Sequence, residues 1–171
     1  MWLIEPNVFE DKRGYFLESF NEREFKEQTK LDIHFVQDNE SLSQKNVLRG
    51  LHFQVPPYAQ GKLVRVVKGS VLDVAVDIRK NSATYGKHQT VLLSEKNKLQ
   101  FYIPPGFAHG FLTLEDFTVF SYKCTNFYNK NAEQGILWND SSLGIQWNAS
   151  QPLLSEKDQI NQVFDNFTSP F

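Results

Sequence analysis

Apolar and polar positions alternate through the middle of the chain. In Val71-Leu72-Asp73-Val74-Ala75-Val76-Asp77-Ile78, the residues Leu72, Val74, Val76 and Ile78 share one face, while Val71, Asp73, Ala75 and Asp77 share the other. That is the period of two imposed by a pleated strand. The preceding run, Lys62 to Lys68, is rich in β-branched residues and ends at Gly69-Ser70, so the two runs stand at hairpin distance. Further β-rich runs are Phe35 to Gln37, Val47 to Phe53, Thr90 to Leu93, Leu99 to Ile103, Phe107 to Leu112 and Val119 to Thr125, with Pro104-Pro105-Gly106 among the turns. Helical signals occur in two places. Asn21 stands three positions before Glu24, a capping pattern that opens a helix from Glu22 to about Thr29. Ser155 opens a second, which Ile160, Val163 and Phe164 extend at helical spacing. Many evenly spaced strands with few helices predict a mainly β protein, an antiparallel sandwich or jelly roll with short peripheral helices.

Composition narrows the picture. The 171 residues, 40% hydrophobic, suit one compact domain spanning 1–171, since no repeat, low-complexity tract or charged linker divides them. Eighteen basic against 20 acidic residues leave no overall positive field to draw the chain to nucleic acid or an anionic membrane. A local basic cluster for phosphate is compatible with that balance. The longest apolar runs are a few residues, far short of the roughly 20 that cross a bilayer. Cys124 is the sole cysteine and the N-terminus carries no export pattern, so a cytoplasmic location is expected. No Gly-x-Gly-x-x-Gly fingerprint of a redox cofactor occurs, and no cofactor is expected.

Four histidines are available for chemistry. His34 and His88 sit in polar or turn-like surroundings and read as surface or structural. His52, in Arg49-Gly50-Leu51-His52-Phe53-Gln54, shares a strand face with Gly50 and Gln54, a polar set that suggests a lined cavity. A strand histidine hydrogen-bonded inside a core is the competing reading. A phosphorylated sugar would need cations, aromatic faces and hydrogen-bonding side chains. Arg13, Arg49, Lys62, Tyr122, Tyr128, Gln37 and Asn39 are candidates, each with an ordinary surface or packing role as its alternative. A metal centre is not expected. Metal-binding jelly rolls use His-x-His with a later Glu and His, whereas here Gln54 holds the second position, leaving His52, His109 and a weak amide.

Taken in order, several segments resemble the dTDP-4-dehydrorhamnose 3,5-epimerases, cupin-fold enzymes of dTDP-rhamnose synthesis. They are Phe9 to Glu18, Phe35 to Asn39, Asn46 to Gln54, Gln60 to Arg65, Asp73 to Arg79, Ile103 to Phe111, Tyr122-Lys123, Gly135 to Asp140 and Ile145 to Trp147. The resemblance covers about residues 5–158 and implies a cupin-type jelly roll or double-stranded β-sandwich. It implies His52 as general base, Tyr122 as the acid on the opposite face and Lys62 as the stabiliser of an oxyanion at the C4 ketone. Asp158 matches the carboxylate that supports the base. Its place three residues after Ser155 also fits a capping acid, and Asp73 is a rival partner. Arg13, Glu18, Gln37, Asp38, Asn39, Arg49, His109, Glu133 and Lys157 match substrate-contacting positions, and Tyr128 matches an aromatic stacked on the nucleotide.

The implied reaction inverts C3 and C5 of a dTDP-linked 4-keto-6-deoxy-sugar, in a homodimer. The ketone acidifies the neighbouring C–H bonds, a neutral imidazole removes a proton, and the enolate is reprotonated from the other side. Imidazole in water titrates at about 6.5 and phenol at about 10, which suits the two for base and acid. Inversion of C3 or C5 alone, a metal-dependent cupin oxygenase and a non-catalytic sugar-nucleotide binder are the alternatives. Only Met1 to Ile4 precede Glu5-Pro6, where related chains begin earlier with a strand that crosses to the partner, so a shortened exchange is expected.

Overall fold

Both faces of the run Val71–Ile78 are buried, which requires apolar cover on each side of the sheet that holds it. The computed structural model describes residues 1–171 and supplies that cover. Its strands are β1 (Trp2–Ile4), β2 (Val8–Asp11), β3 (Gly14–Leu17), β4 (Gln37–Ser43), β5 (Leu48–Gln54), β6 (Lys62–Lys68), β7 (Ser70–Asp77), β8 (His88–Ser94), β9 (Gln100–Ile103), β10 (Phe107–Thr113), β11 (Thr118–Cys124) and β12 (Glu133–Gly135). Helix α1 (Glu22–Thr29) lies between β3 and β4, and α2 (Glu156–Gln159) follows β12. One antiparallel sheet has the order β1-β9-β6-β11-β4, the other β12-β5-β10-β7-β8, and β2 pairs with β3 as a separate hairpin. The protein is thus mainly β with short helices, as its pattern predicts.

Between the sheets, Val64, Val66, Phe101, Ile103 and Phe120 of the first meet Val71, Ala75, Leu93, Phe107 and Phe111 of the second. Each such side chain, fully buried, stabilises the fold by about 1.5–3 kcal/mol. The outer face of the second sheet presents Leu48, Phe53, Val74, Val76 and Ile78 to Ile136, Leu143, Trp147 and Phe167 of the C-terminal segment. The outer face of the first packs Leu63 and Tyr102 on Phe25 of α1. The Asn21 side chain caps that helix by accepting from the backbone N–H groups of Arg23 (3.1 Å) and Glu24 (3.3 Å).

Two expectations are corrected. β6 and β7 form no hairpin: β6 pairs with β9 and β11, and β7 with β8 and β10. One residue, Gly69, carries the chain from one sheet to the other with φ of 81°. Val66 and Val71 then meet across the interior instead of side by side in one sheet. Any side chain at Gly69 would collide with Thr118. The second correction is the length of α2, which stops at Gln159. Ile160 is exposed, and the next residues are drawn into a parallel bridge, with the Leu137 N–H donating to the Gln162 carbonyl at 2.8 Å. The helical spacing of Val163 and Phe164 serves a short 3-10 turn, Phe164–Asn166.

Candidate active site

β5 and β10 bring two histidines side by side, His52 opposite His109. The register then slips: Phe111 on β10 faces Arg49 on β5, so β5 carries one residue more than its partner over this stretch. In an unbroken strand Arg49 and His52, three apart, would face opposite ways. The extra residue resets the parity, and both line one cavity of about 610 Å³ between the sheets. Gly50 makes this possible, with φ of 140° and its Cα so near Gly110 that a Cβ would overlap the opposite backbone.

On one wall, from the second sheet, stands His52. Its Nε2 is hydrogen-bonded to Asp158 Oδ1, and Asp158 Oδ2 accepts from Ser155 Oγ at 2.8 Å. The Asp158 N–H in turn donates to Ser155 Oγ at 3.2 Å, so this acid both belongs to the helix start and backs the imidazole. Burial alone raises the Asp158 carboxyl, but the hydrogen bond and charge of His52, with Ser155 and Lys157, outweigh it and hold the group below its ordinary value. An ionised Asp158 only accepts hydrogen bonds. The ring proton therefore sits on Nε2, and Nδ1 keeps a free lone pair. Asp73 pairs elsewhere, with His109 Nε2 at 2.9 and 3.1 Å. Burial pushes the His109 imidazole down despite that carboxylate.

The facing wall comes from the first sheet. Tyr122 on β11 has its phenol pushed up to about 12, chiefly by burial, with Cys124, Glu133 and Tyr128 adding and Arg49 opposing. Half-buried Lys62 on β6 lies 6.0 Å from the centroid of the Tyr122 ring. Burial lowers its ammonium, while Cys124, Asp73 and Glu133 hold the charge in place. At the edge of the cavity Glu133 joins two further groups, accepting from Lys157 Nζ at 2.7 Å and from the Tyr128 hydroxyl at 2.9 Å. Arg49 donates from Nε and Nη2 to Ser43 Oγ, both at 3.2 Å.

The structure thus brings His52, Tyr122, Lys62, Asp158, Arg49, His109, Glu133 and Lys157 to one cavity, with Tyr128 beside it on Glu133. Gln37 and Asn39 are next to it on β4, linked to each other at 2.9 Å, and Gln37 Oε1 accepts from the Tyr128 N–H. Three candidates lie apart from the cavity. Arg13 occupies the β2–β3 turn and pairs with Asp11, Glu18 accepts from Asn21, and Asp38 pairs with Lys123. Gln54 also departs from its expected place. Its amide donates to the carbonyls of Tyr58 and Phe127 and accepts from the Asn129 N–H, which fixes the loop bearing Tyr128 instead of lining the cavity. No three His, Cys, Asp or Glu side chains converge as metal ligands. Sequence reasoning missed Ser41, Ser155 and the apolar lining of Leu48, Phe111 and Phe120. The polar run Gln37–Ser43 gave no apolar alternation to betray a strand, although its polarity on both faces is itself the mark of a wall between solvent and a polar cavity.

Comparison with known proteins places these features in a group. Residues 1–166 match the family model described as dTDP-4-dehydrorhamnose 3,5-epimerase. A Shigella flexneri protein of that name is 57% identical over 162 residues, covering 95% of this chain and 90% of that protein. The crystal structure of the Elizabethkingia anophelis NUHP1 dTDP-4-dehydrorhamnose 3,5-epimerase is similar with a TM-score of 0.91 at 55% identity, covering 96% of this chain and 91% of that one. The Legionella pneumophila dTDP-6-deoxy-D-glucose-3,5-epimerase, solved in complex with dTDP-4-keto-L-rhamnose, gives 0.94 at 47%, covering 97% and 88%.

Proposed function

The chain belongs to the dTDP-4-dehydrorhamnose 3,5-epimerase family and is an isomerase, and from that premise we propose that it inverts C3 and C5 of dTDP-4-dehydro-6-deoxy-glucose in the cavity between its sheets, giving dTDP-4-dehydro-L-rhamnose. The observation that carries the residue roles is that His52 and Tyr122 stand on opposite sheets and line the same space. Inversion needs a base on one side of a carbon and an acid on the other.

His52 Nδ1 takes the proton from carbon next to the ketone, and the charge that develops on the ring is met by Asp158. The electrons pass to the C4 oxygen. Lys62, already stripped of much of its water, gains most from a new anion beside it and holds that oxygen as the enolate forms. Tyr122 then delivers a proton from the opposite face. With its phenol near 12 it is fully protonated at neutral pH, and a carbanion is basic enough to take its proton. Base and acid together supply a rate factor of roughly 10² to 10⁴, the remainder coming from charge stabilisation and positioning.

Residues 1–171 act as one unit in this reading, located in the cytoplasm. The working form is a homodimer. The exposed Phe9, Tyr15 and Phe16 of the β2–β3 hairpin support it, since apolar side chains so placed are normally covered by a partner. Arg13, at the tip of that hairpin, then serves the partner's cavity instead of its own.

The test offers metal-stripped protein the keto-sugar in D₂O and follows C3 and C5 by NMR. Deuterium at both carbons with formation of the L-sugar is expected. Exchange at one carbon only would reduce the activity to a single inversion, and exchange at neither would refute the proposal.

A further inference from the structure

Two buried polar side-chain atoms lack a hydrogen-bond partner, Ser41 Oγ and Asn161 Nδ2, and of the two residues only Ser41 lines the cavity. An unpartnered buried hydroxyl costs free energy in the empty protein, and that cost is recovered when a ligand supplies the missing bond. Ser41 lies on β4 opposite Phe120 of β11, two residues along from Asn39, which faces Tyr122. It therefore stands on the acid's wall, one pair of residues beyond the reacting centre. Its χ1 angle has three staggered positions, so the oxygen can be re-aimed without moving the strand.

The surroundings define the ligand chemistry. Glu40, the next residue along β4, is exposed on the opposite, solvent face, so no carboxylate stands beside Ser41 on its own strand, and Leu48, Phe111 and Phe120 give this part of the cavity an apolar floor. The rings of Phe111 and Phe120 are stacked with centroids 4.0 Å apart. An apolar floor and one free hydroxyl suit a neutral ring bearing hydroxyl and methyl groups better than a diphosphate. We propose that Ser41 is a further specificity residue that hydrogen-bonds a hydroxyl of the 6-deoxy-sugar ring, beside an apolar floor of Phe111 and Phe120 that receives its methyl group. The inference rests on the epimerase reading for the identity of the sugar.

Calorimetry on the full chain decides it with two probes, dTDP and the ketone-free dTDP-6-deoxyglucose, applied to the parent and to Ser41→Ala. The expected result is a loss of about 3- to 10-fold in affinity for the sugar nucleotide, the value of one neutral hydrogen bond, with affinity for dTDP unchanged. The unliganded variant should melt no lower than the parent, because the hydroxyl it lacks had no partner. Equal affinity of both proteins for the sugar nucleotide would overturn the inference. So would an equal loss for both probes, or a lower melting temperature of the empty variant, which would mark the hydroxyl as structural. Failure of the parent to exchange deuterium would sink the epimerase reading instead, and the binding comparison stands apart from it.

Discussion

Asp158 is buried at 2% exposure between an imidazole and a serine hydroxyl, so its charge matters both to the reaction and to the fold. In Asp158→Asn the imidazolium formed on proton abstraction loses its counter-charge. The expected loss in kcat is of order 10²-fold with KM little changed, and His52→Asn should lose roughly 10² to 10⁴. The stability effect has a definite sign. A carboxyl held below its unfolded value of about 3.9 contributes stability above that pH and loses it as the pH falls through the lower folded value. Urea unfolding should therefore show Asp158→Asn about 1.5–3 kcal/mol less stable than the parent at pH 7, with the gap closing as the pH falls below the ordinary carboxyl range. At this scale His52, Lys62, Tyr122 and Asp158 were legible in the sequence through the resemblance, with Asp73 left as a rival for the carboxylate behind His52. Asp73 and Asp158 both suit the role chemically, and only the register of β7 against β10, which sets Asp73 beside His109, separates them.

β5 shows what alternation misses. A period of two grouped His52 with Gly50 and Gln54, whereas the extra residue between Arg49 and His52 groups His52 with Arg49; Gln54, beyond the bulge and in regular register, is taken up by its hydrogen bonds to the neighbouring loops. The signal was in the sequence as glycines at 50 and 110, one on each of two strands, but their approach is a tertiary fact. Gly50→Ala forces a Cβ onto Gly110 at a positive φ, and should cost about 2–5 kcal/mol from overlap and backbone strain together. A urea midpoint measures it, and a variant as stable as the parent would show that the strands do not approach so closely. β6 and β7 teach the same lesson: their spacing fits a hairpin, and only burial on both faces of β7 reveals that they belong to different sheets. β4 escaped notice for another reason, since strands are read from apolar faces and it has none on its solvent side except Leu42.

For the whole molecule, the last residues are structural cover. Phe167 packs on Phe53 with ring centroids 5.5 Å apart, the Ser169 hydroxyl donates to the Ile78 carbonyl, and the Lys80 N–H donates to the Phe171 carbonyl at 3.0 Å. Phe167→Ala should lower stability by about 3–5 kcal/mol, read from the urea midpoint, while the cavity residues keep their places. The β2–β3 hairpin has the opposite character, with Phe16 at 68% exposure. Sedimentation should find a dimer, and Phe16→Asp should shift it toward monomer with reduced turnover. These assignments meet in one claim, that base and acid work from opposite walls. Tyr122→Phe, given the keto-sugar in D₂O and followed by NMR, tests it most directly. His52 is intact in this variant, so the prediction is deuterium entering C5 with its original configuration retained and little inverted sugar. Inverted sugar formed at the parental rate would contradict the account.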